Sequence, residues 1–152
     1  MQVSSIETYL ASPLGLGLFA VLFVPLWCAS SLWVSWVSGW RMLARRFKYQ
    51  SEPYRDIEST GSFISVYMRF WSYYGGLVLS TAADDALYVS MMFLFRIGHP
   101  PLRIPWDEIR LGRTKFFFRT FIVLTLGNEE KVPMRILLRT ARNLGILERC
   151  PQ

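Results

Sequence analysis

Residues 14–37, with the sequence LGLGLFAVLFVPLWCASSLWVSWV, decide the architecture of this chain. They lie within 33 consecutive residues, between Glu7 and Arg41, that carry no charge. A bilayer core of about 30 Å is crossed by about 20 helical residues, and this segment supplies 24. One Arg or Lys at its centre would cost about 2.5–3.5 kcal/mol, and none is present. The segment therefore predicts one transmembrane helix, bent at Pro25.

Charge is distributed unevenly on the two sides of this segment. All 17 Lys and Arg lie at or after Arg41, so the net charge is −1 for residues 1–40 and +7 for residues 41–152. By the positive-inside rule, the tail of residues 1–13 crosses the membrane and the C-terminal part stays in the cytosol. Trp33, Trp36 and Trp40 share one helix face at the expected cytosolic boundary, where indoles concentrate, although simple packing would also explain them. We therefore expect a single-pass protein with its N-terminus outside.

A cleaved signal peptide is the main rival interpretation. Residues 14–26 have the length of a signal core, and the small residues at 28–31 would allow cleavage. Against cleavage, the first seven residues hold no Lys or Arg, the apolar run resumes at Leu32, and a basic cluster follows. Lipid attachment at Cys28 is disfavoured because the bulky Trp27 precedes it.

Residues 38–49 predict a short amphipathic helix beside the membrane. Its apolar stripe is Trp36, Trp40, Leu43 and Phe47, and its basic residues are Arg41, Arg45, Arg46 and Lys48. These cations would contact anionic headgroups, at about 1 kcal/mol each, or would only set the topology; both interpretations stay open. Ser31, Ser35 and Gly39 form a ridge of small residues through which two copies would pack as a homodimer.

Residues 50–61 are interpreted as a linker and residues 62–149 as one folded domain. Apolar and polar residues alternate over 63–70, which predicts a strand with Ile64, Val66, Met68 and Phe70 inward. Residues 77–81 and 86–92 predict a strand pair across a turn at Asp84-Asp85. Further strands are predicted at 102–104, 108–115, 116–126 and 131–134, with a hairpin turn at Gly127-Asn128 and with Phe116, Phe118, Ile122, Leu124 and Leu126 inward.

A terminal helix is predicted over residues 135–147. It has one apolar face and one basic face, Arg135, Arg139 and Arg142, that suits an acidic partner. Six or seven antiparallel strands closed by this helix predict an α+β fold: a bent sheet or barrel with the outline of a pleckstrin-homology-like domain.

The segment FLFRIGHPPLRIPWDEI at residues 93–109, together with Ser38, Gly39, Trp40, Leu43, Ala44 and Phe47, resembles a family of uncharacterised bacterial membrane-anchored proteins. The IPWDEI part is similar to elements of GRAM and bacterial pleckstrin-homology-like domains. The resemblance covers residues 38–109 well and the rest loosely. It implies the fold and a setting at the bacterial inner membrane, and it carries no activity.

The same segment has a physical interpretation of its own. Pro100, Pro101 and Pro105 remove backbone donors, which predicts an edge or crossing segment. We expect Ile104, Trp106 and Ile109 to fill the core, and His99 to be a structural hydrogen-bonding residue at a turn. Core packing is the favoured interpretation of residues 93–95; the alternative is an apolar loop that dips into the bilayer with Arg96 on a phosphate.

The residues do not assemble into a known catalytic pattern, a nucleotide-binding loop or a metal-ligand cluster, so we predict no enzyme, cofactor or metal. Cys28 and Cys150 make no disulfide framework, and the basic composition needs no nucleic acid to explain it. The predicted function is an interaction module that binds anionic lipid headgroups, a membrane-protein partner, or both. Further phosphate-contact candidates on the sheet are Arg110, Arg113, Lys115 and Arg119. The alternative is a subunit or assembly factor of a larger membrane complex.

Overall fold

The computed structural model describes residues 13–49, 57–82 and 86–150. The Asp84-Asp85 turn, the tail before Pro13 and most of the expected linker lie outside these ranges. Helix α1, Pro13–Val37, contains Pro25 and is long and apolar enough to cross a membrane. The rest of the described chain leaves its most apolar stretch uncovered. Gly39 then turns the chain with a positive φ of 86° into helix α2, Trp40–Phe47.

Helix α2 packs against the domain. Trp40, Leu43 and Phe47 are buried in the core, so protein covers this part of the apolar stripe, while Trp36 stays exposed. The helix is amphipathic as predicted, but its apolar face is used for folding. Burying three large side chains contributes about 1.5–3 kcal/mol for each aliphatic or aromatic group.

Seven antiparallel strands form one sheet in the order β4-β3-β2-β1-β7-β6-β5. Their bounds are β1 Ile57–Tyr67, β2 Tyr73–Ala82, β3 Ala86–Met91, β4 Leu102–Pro105, β5 Ile109–Phe116, β6 Arg119–Leu126 and β7 Val132–Leu137. The sheet curls into a half-barrel, and the predicted α+β class with six or seven strands and C-terminal helical structure is confirmed. Among the described residues, β1 and β7 pair at one position, Tyr67 and Arg135, so this seam has fewer backbone pairs than the β1–β2 and β6–β7 seams.

The C-terminal segment differs from the single helix predicted. Arg135 belongs to β7, and two short helices follow, α3 Leu138–Asn143 and α4 Ile146–Arg149, separated by Gly145 with a φ of 65°. Ala141, Leu144 and Ile146 close the core. The expected basic face of Arg135, Arg139 and Arg142 is therefore divided between a strand and a helix.

Several strand ends also differ from prediction. Strand β1 begins at Ile57, so residues 57–61 are strand and not linker. Ile64, Val66 and Met68 are buried as predicted, but Phe70 is exposed beyond the strand. Ile122, Leu124 and Leu126 point inward as predicted, whereas Phe116 and Phe118 are exposed at the β5–β6 turn.

The proline-rich segment behaves as predicted. Strand β4 is an edge of the sheet, and Ile104, Trp106 and Ile109 are buried. Outside it, Lys48 forms a bridge with Leu102, and the Tyr49 amide donates to the Pro101 carbonyl over 2.9 Å.

Candidate functional site: the anchor-side rim

The strand register brings two turns to the end of the half-barrel where α1 meets the domain. The β1–β2 turn follows the Tyr67–Tyr73 pair, and residues 92–99 leave β3 after Met91. Because β7 is antiparallel to both β1 and β6, and β6 is antiparallel to β5, the β5–β6 turn after the Phe116–Arg119 pair lies at the opposite end. We call the turns 68–72 and 92–99 the anchor-side rim.

The loop 92–99 lies along the C-terminal half of α1. The rings of Trp27 and Phe95 are 5.1 Å apart. The Ser31 hydroxyl donates to the Ile97 carbonyl over 2.6 Å, and the Ser35 hydroxyl donates to the Gly98 carbonyl over 2.5 Å. Helix α1 therefore supplies the hydrogen-bond donors for the backbone of this loop.

The small-residue ridge of α1 serves the same contact. Ser35 is buried, Gly39 lies against the Val132 side chain, and Gly98 approaches the backbone of Leu32. Ser35 and Gly39 of the ridge are therefore in contact with other parts of the chain, and the homodimer through Ser31, Ser35 and Gly39 stays a prediction.

A buried polar cluster joins the helices to β2. The Tyr74 hydroxyl is 2.9 Å from His99 Nε2 and 2.7 Å from the Ser38 hydroxyl, and His99 Nδ1 is 3.1 Å from the Ile97 carbonyl. Burial lowers the pKa of His99 from its ordinary value of 6.5, with bonds to backbone carbonyls opposing this, and burial raises the pKa of Tyr74 to about 12. The imidazole is therefore neutral at pH 7, donating from Nδ1 to the carbonyl and accepting at Nε2 from the tyrosine. This is the structural role expected for His99.

Large apolar side chains project from both turns of the rim. Phe93 is 84% exposed. The other exposed apolar side chains of the rim are Phe70, Leu94, Phe95 and Ile97, while Phe116, Phe117 and Phe118 are exposed at the opposite end of the sheet. Core packing, the favoured interpretation of residues 93–95, is wrong for Phe93 and Leu94; only Phe95 packs, and it does so on α1. A water-soluble surface does not normally concentrate aromatic residues in this way.

One exposed cation lies in each turn of the rim, Arg69 in the first and Arg96 in the second. The Arg69 guanidinium lies 4.8 Å from the centre of the Phe70 ring. Sequence reasoning identified Arg96 and missed Arg69, although its place between a strand end and the aromatic pair Phe70-Trp71 was a usable signal.

The remaining basic candidates are spread over both ends of the sheet. Lys115 and Arg119 flank the β5–β6 turn at the end opposite the rim. Strand alternation places Arg113 and Lys115 on one face of β5 and Arg110 on the other. Arg110 lies near the start of β5, at the same end as the rim, and Arg46 of α2 binds Glu108 over 2.5 Å there. Arg41 and Arg45 are exposed on α2, and Arg139 and Arg142 are exposed on α3.

Comparisons with known proteins add no family, because no family model, curated protein or solved structure matches the chain. Within residues 13–49, 57–82 and 86–150, no group of three His, Cys, Asp or Glu side chains is placed to hold a metal ion. The site is therefore described by its own geometry: an apolar, cation-flanked rim next to a helix of membrane-spanning length.

Proposed function

We propose that this chain is a single-pass protein of the bacterial inner membrane whose cytosolic half-barrel rests on the bilayer and binds anionic lipid headgroups without catalysing a reaction. The observation that carries the proposal is the position of the exposed apolar turns 68–72 and 92–99, at the same end of the sheet as α1. Membrane-surface binding follows from buried apolar area together with cations that attract anionic lipid. Arg69 and Arg96 would be the headgroup contacts.

Helical geometry supports insertion of the loop 92–99 into the cytosolic leaflet. Trp27 lies ten residues before Val37, which is about 15 Å along the helix axis, or about half of the hydrocarbon thickness. Phe95 contacts Trp27, so a span that ends near Val37 places Phe95 in hydrocarbon, and the Arg96 side chain would extend from there toward the cytosolic surface to meet a phosphate. Irregular backbone is tolerated at that depth only when its polar groups are bonded inside the protein. The Ser31 and Ser35 hydroxyls meet that requirement for the Ile97 and Gly98 carbonyls.

The same contacts favour an uncleaved anchor. Cleavage near residues 28–31 would detach Trp27 from Phe95 and would cut the helix at the serine that binds Ile97. The orientation proposed from the charge asymmetry, with the N-terminus outside and the domain in the cytosol, places the basic rim against the anionic cytosolic leaflet.

The test uses the full chain in lipid nanodiscs. Binding of anionic lipid to the folded state raises Tm, so Tm should be higher in phosphatidylglycerol discs than in phosphatidylcholine discs. The double variant Arg69→Glu/Arg96→Glu should abolish this difference, because each cation near the surface contributes about 1 kcal/mol. The control Lys115→Glu/Arg119→Glu makes the same charge change at exposed positions of the opposite end of the sheet and should keep the difference. Equal loss in both variants, or no difference in the unmodified chain, would refute headgroup binding by the rim.

A second candidate function is a subunit or assembly factor of a larger membrane complex. An open groove of about 470 Å³ between α2 and β4 is lined by Arg46, Lys48 and Arg103, and it suits an acidic segment of a partner. Gentle detergent extraction followed by size determination distinguishes the two functions. A particle larger than a monomer or dimer would favour the complex.

A further inference from the structure

A cleft of about 420 Å³ separates the C-terminal half of α1 from the anchor-side rim. Its walls include Trp27 and Val34 of α1, Tyr74 and Met91 of the sheet, and Phe95 of the loop. Ligand pockets in proteins typically measure about 300–1,000 Å³, so the cleft is large enough for a small ligand. We propose that it holds one hydrocarbon chain of an anionic phospholipid, an inference that rests on the proposed membrane contact of the rim.

The polar groups of the cleft are already engaged with one another. The Ser30 hydroxyl donates to the Leu26 carbonyl over 2.6 Å, and the Ser31 hydroxyl binds the Ile97 carbonyl. Tyr74 and His99 bond to each other at the floor of the cleft. A ligand that needs hydrogen bonds would have to displace these contacts, whereas a hydrocarbon chain needs only the apolar surface of the walls.

The position of the cleft beside α1 favours a lipid as its occupant. Residues 27–34 of α1 form one wall, and they lie within the span, so the cleft opens toward acyl chains rather than water. An unfilled apolar cleft loses the dispersion contacts of every atom that lines it. One turn of a helix 10 Å wide occupies about the same volume as the whole cleft. A longer helix, from a second copy or from a partner protein, therefore does not fit inside it. Arg96, exposed next to Phe95, is placed to bind the phosphate of the same lipid.

A photo-adduct on Met91 would show that a hydrocarbon chain has entered the cleft. It is 5% exposed, so lipid packed around the outside of α1 does not reach it, whereas a chain inside the cleft does. The experiment reconstitutes the full chain in nanodiscs with phosphatidylglycerol that carries a photoactivatable diazirine on one acyl chain. Adducts are mapped by mass spectrometry after illumination. We expect adducts on Met91 as well as on the exposed Phe93 and Leu94.

A filling variant makes the test specific. Ser30→Phe places a large side chain in the cleft from a helix position that tolerates apolar residues, and it should reduce the Met91 adduct about tenfold. Ala29→Phe is the matched control, because Ala29 is the neighbouring residue on the outward face of α1, and it should leave the Met91 adduct unchanged. A Tm close to that of the unmodified chain verifies that both variants are folded.

The outcomes separate this inference from the proposed function. Labelling of Phe93 and Leu94 without Met91 would overturn chain binding in the cleft while leaving the membrane-contacting rim intact. No labelling at any of the three residues would overturn both. Equal loss of the Met91 adduct in Ser30→Phe and Ala29→Phe would also overturn the inference. So would a cross-link from photo-methionine at position 91 to another polypeptide in the cell membrane, which would assign the cleft to a protein.

Discussion

Tyr73 and Tyr74 are adjacent in β2 and have opposite environments. Tyr74 is 3% exposed, and its hydroxyl bonds to Ser38 and His99. Tyr73 is 58% exposed, and its hydroxyl is 3.0 Å from that of Ser65. Strand alternation places the two rings on opposite faces of the sheet. Only one of the two hydroxyl groups therefore ties α1 to the domain.

Tyr74→Phe should lower the free energy of unfolding by about 1–3 kcal/mol, because removing the hydroxyl takes away the hydrogen bond to the buried His99 Nε2 atom and one of the bonds of Ser38. Tyr73→Phe should change it by less than about 0.5 kcal/mol, as is usual for exposed sites. The measurement is unfolding of the full chain in detergent micelles, followed by tryptophan fluorescence. Equal effects of the two substitutions would show that the buried cluster does not stabilise the fold.

Residues whose environment follows from local pattern were predictable. Ile104, Trp106 and Ile109 are inward because prolines fix the segment between them, and His99 is a buried hydrogen-bonding residue. Phe116 and Phe118 were wrongly predicted to be inward. Alternation continues through their positions in the sequence, but the chain turns at Phe117 with a φ of 51°, which ends β5 and projects these rings from the sheet.

At the scale of elements, the contact between the loop 92–99 and α1 depends on Gly98. Its φ is +77°, and a Cβ atom there would lie 3.0 Å from the Leu32 Cδ2 atom and 3.4 Å from the Leu32 Cα atom. The loop therefore reaches the helix at a position that has neither a side chain nor ordinary backbone angles.

Gly98→Ala should destabilise the protein by about 1–2 kcal/mol from the left-handed backbone alone, with a further loss if the loop moves away from α1. Gly112→Ala in β5 is the matched control. The atom nearest to its new Cβ is 3.6 Å away, on Val123, and its φ is not positive, so we expect a change within about 0.5 kcal/mol. Thermal unfolding of both variants measures the difference. A Tm for Gly98→Ala at or above that of the control would contradict the close contact.

Element identity was less predictable where two periodicities overlap. Residues 132–137 alternate as a strand, while residues 135–147 also fit a helical pattern, so the pattern alone does not show where β7 ends. Pairing with β6 decides the boundary by keeping Arg135, Ile136 and Leu137 in the sheet. Similarly, the stripe of α2 indicated an apolar face, but no periodicity shows whether lipid or protein covers that face.

For the whole molecule, the fold class followed from the sum of many local patterns, whereas the candidate site did not. The two turns of the rim are separated in sequence, at residues 68–72 and 92–99, and only the strand register brings them to one end. Register is set by long-range pairing. The contact of one of these turns with α1 is likewise a tertiary feature, and it links the anchor to the site.

Orientation of the whole chain is the remaining property that charge alone predicts. With a net charge of −1 before Arg41 and +7 after it, the domain should stay in the cytosol. Asn128, exposed on the turn after β6, offers a test position, since Cys28 lies within α1 and Cys150 is buried. A cysteine introduced by Asn128→Cys should resist a membrane-impermeant maleimide in intact spheroplasts and should react fully after lysis, while the unmodified chain controls for background. Full labelling before lysis would place the domain outside the cell and remove the anionic cytosolic leaflet from the proposal.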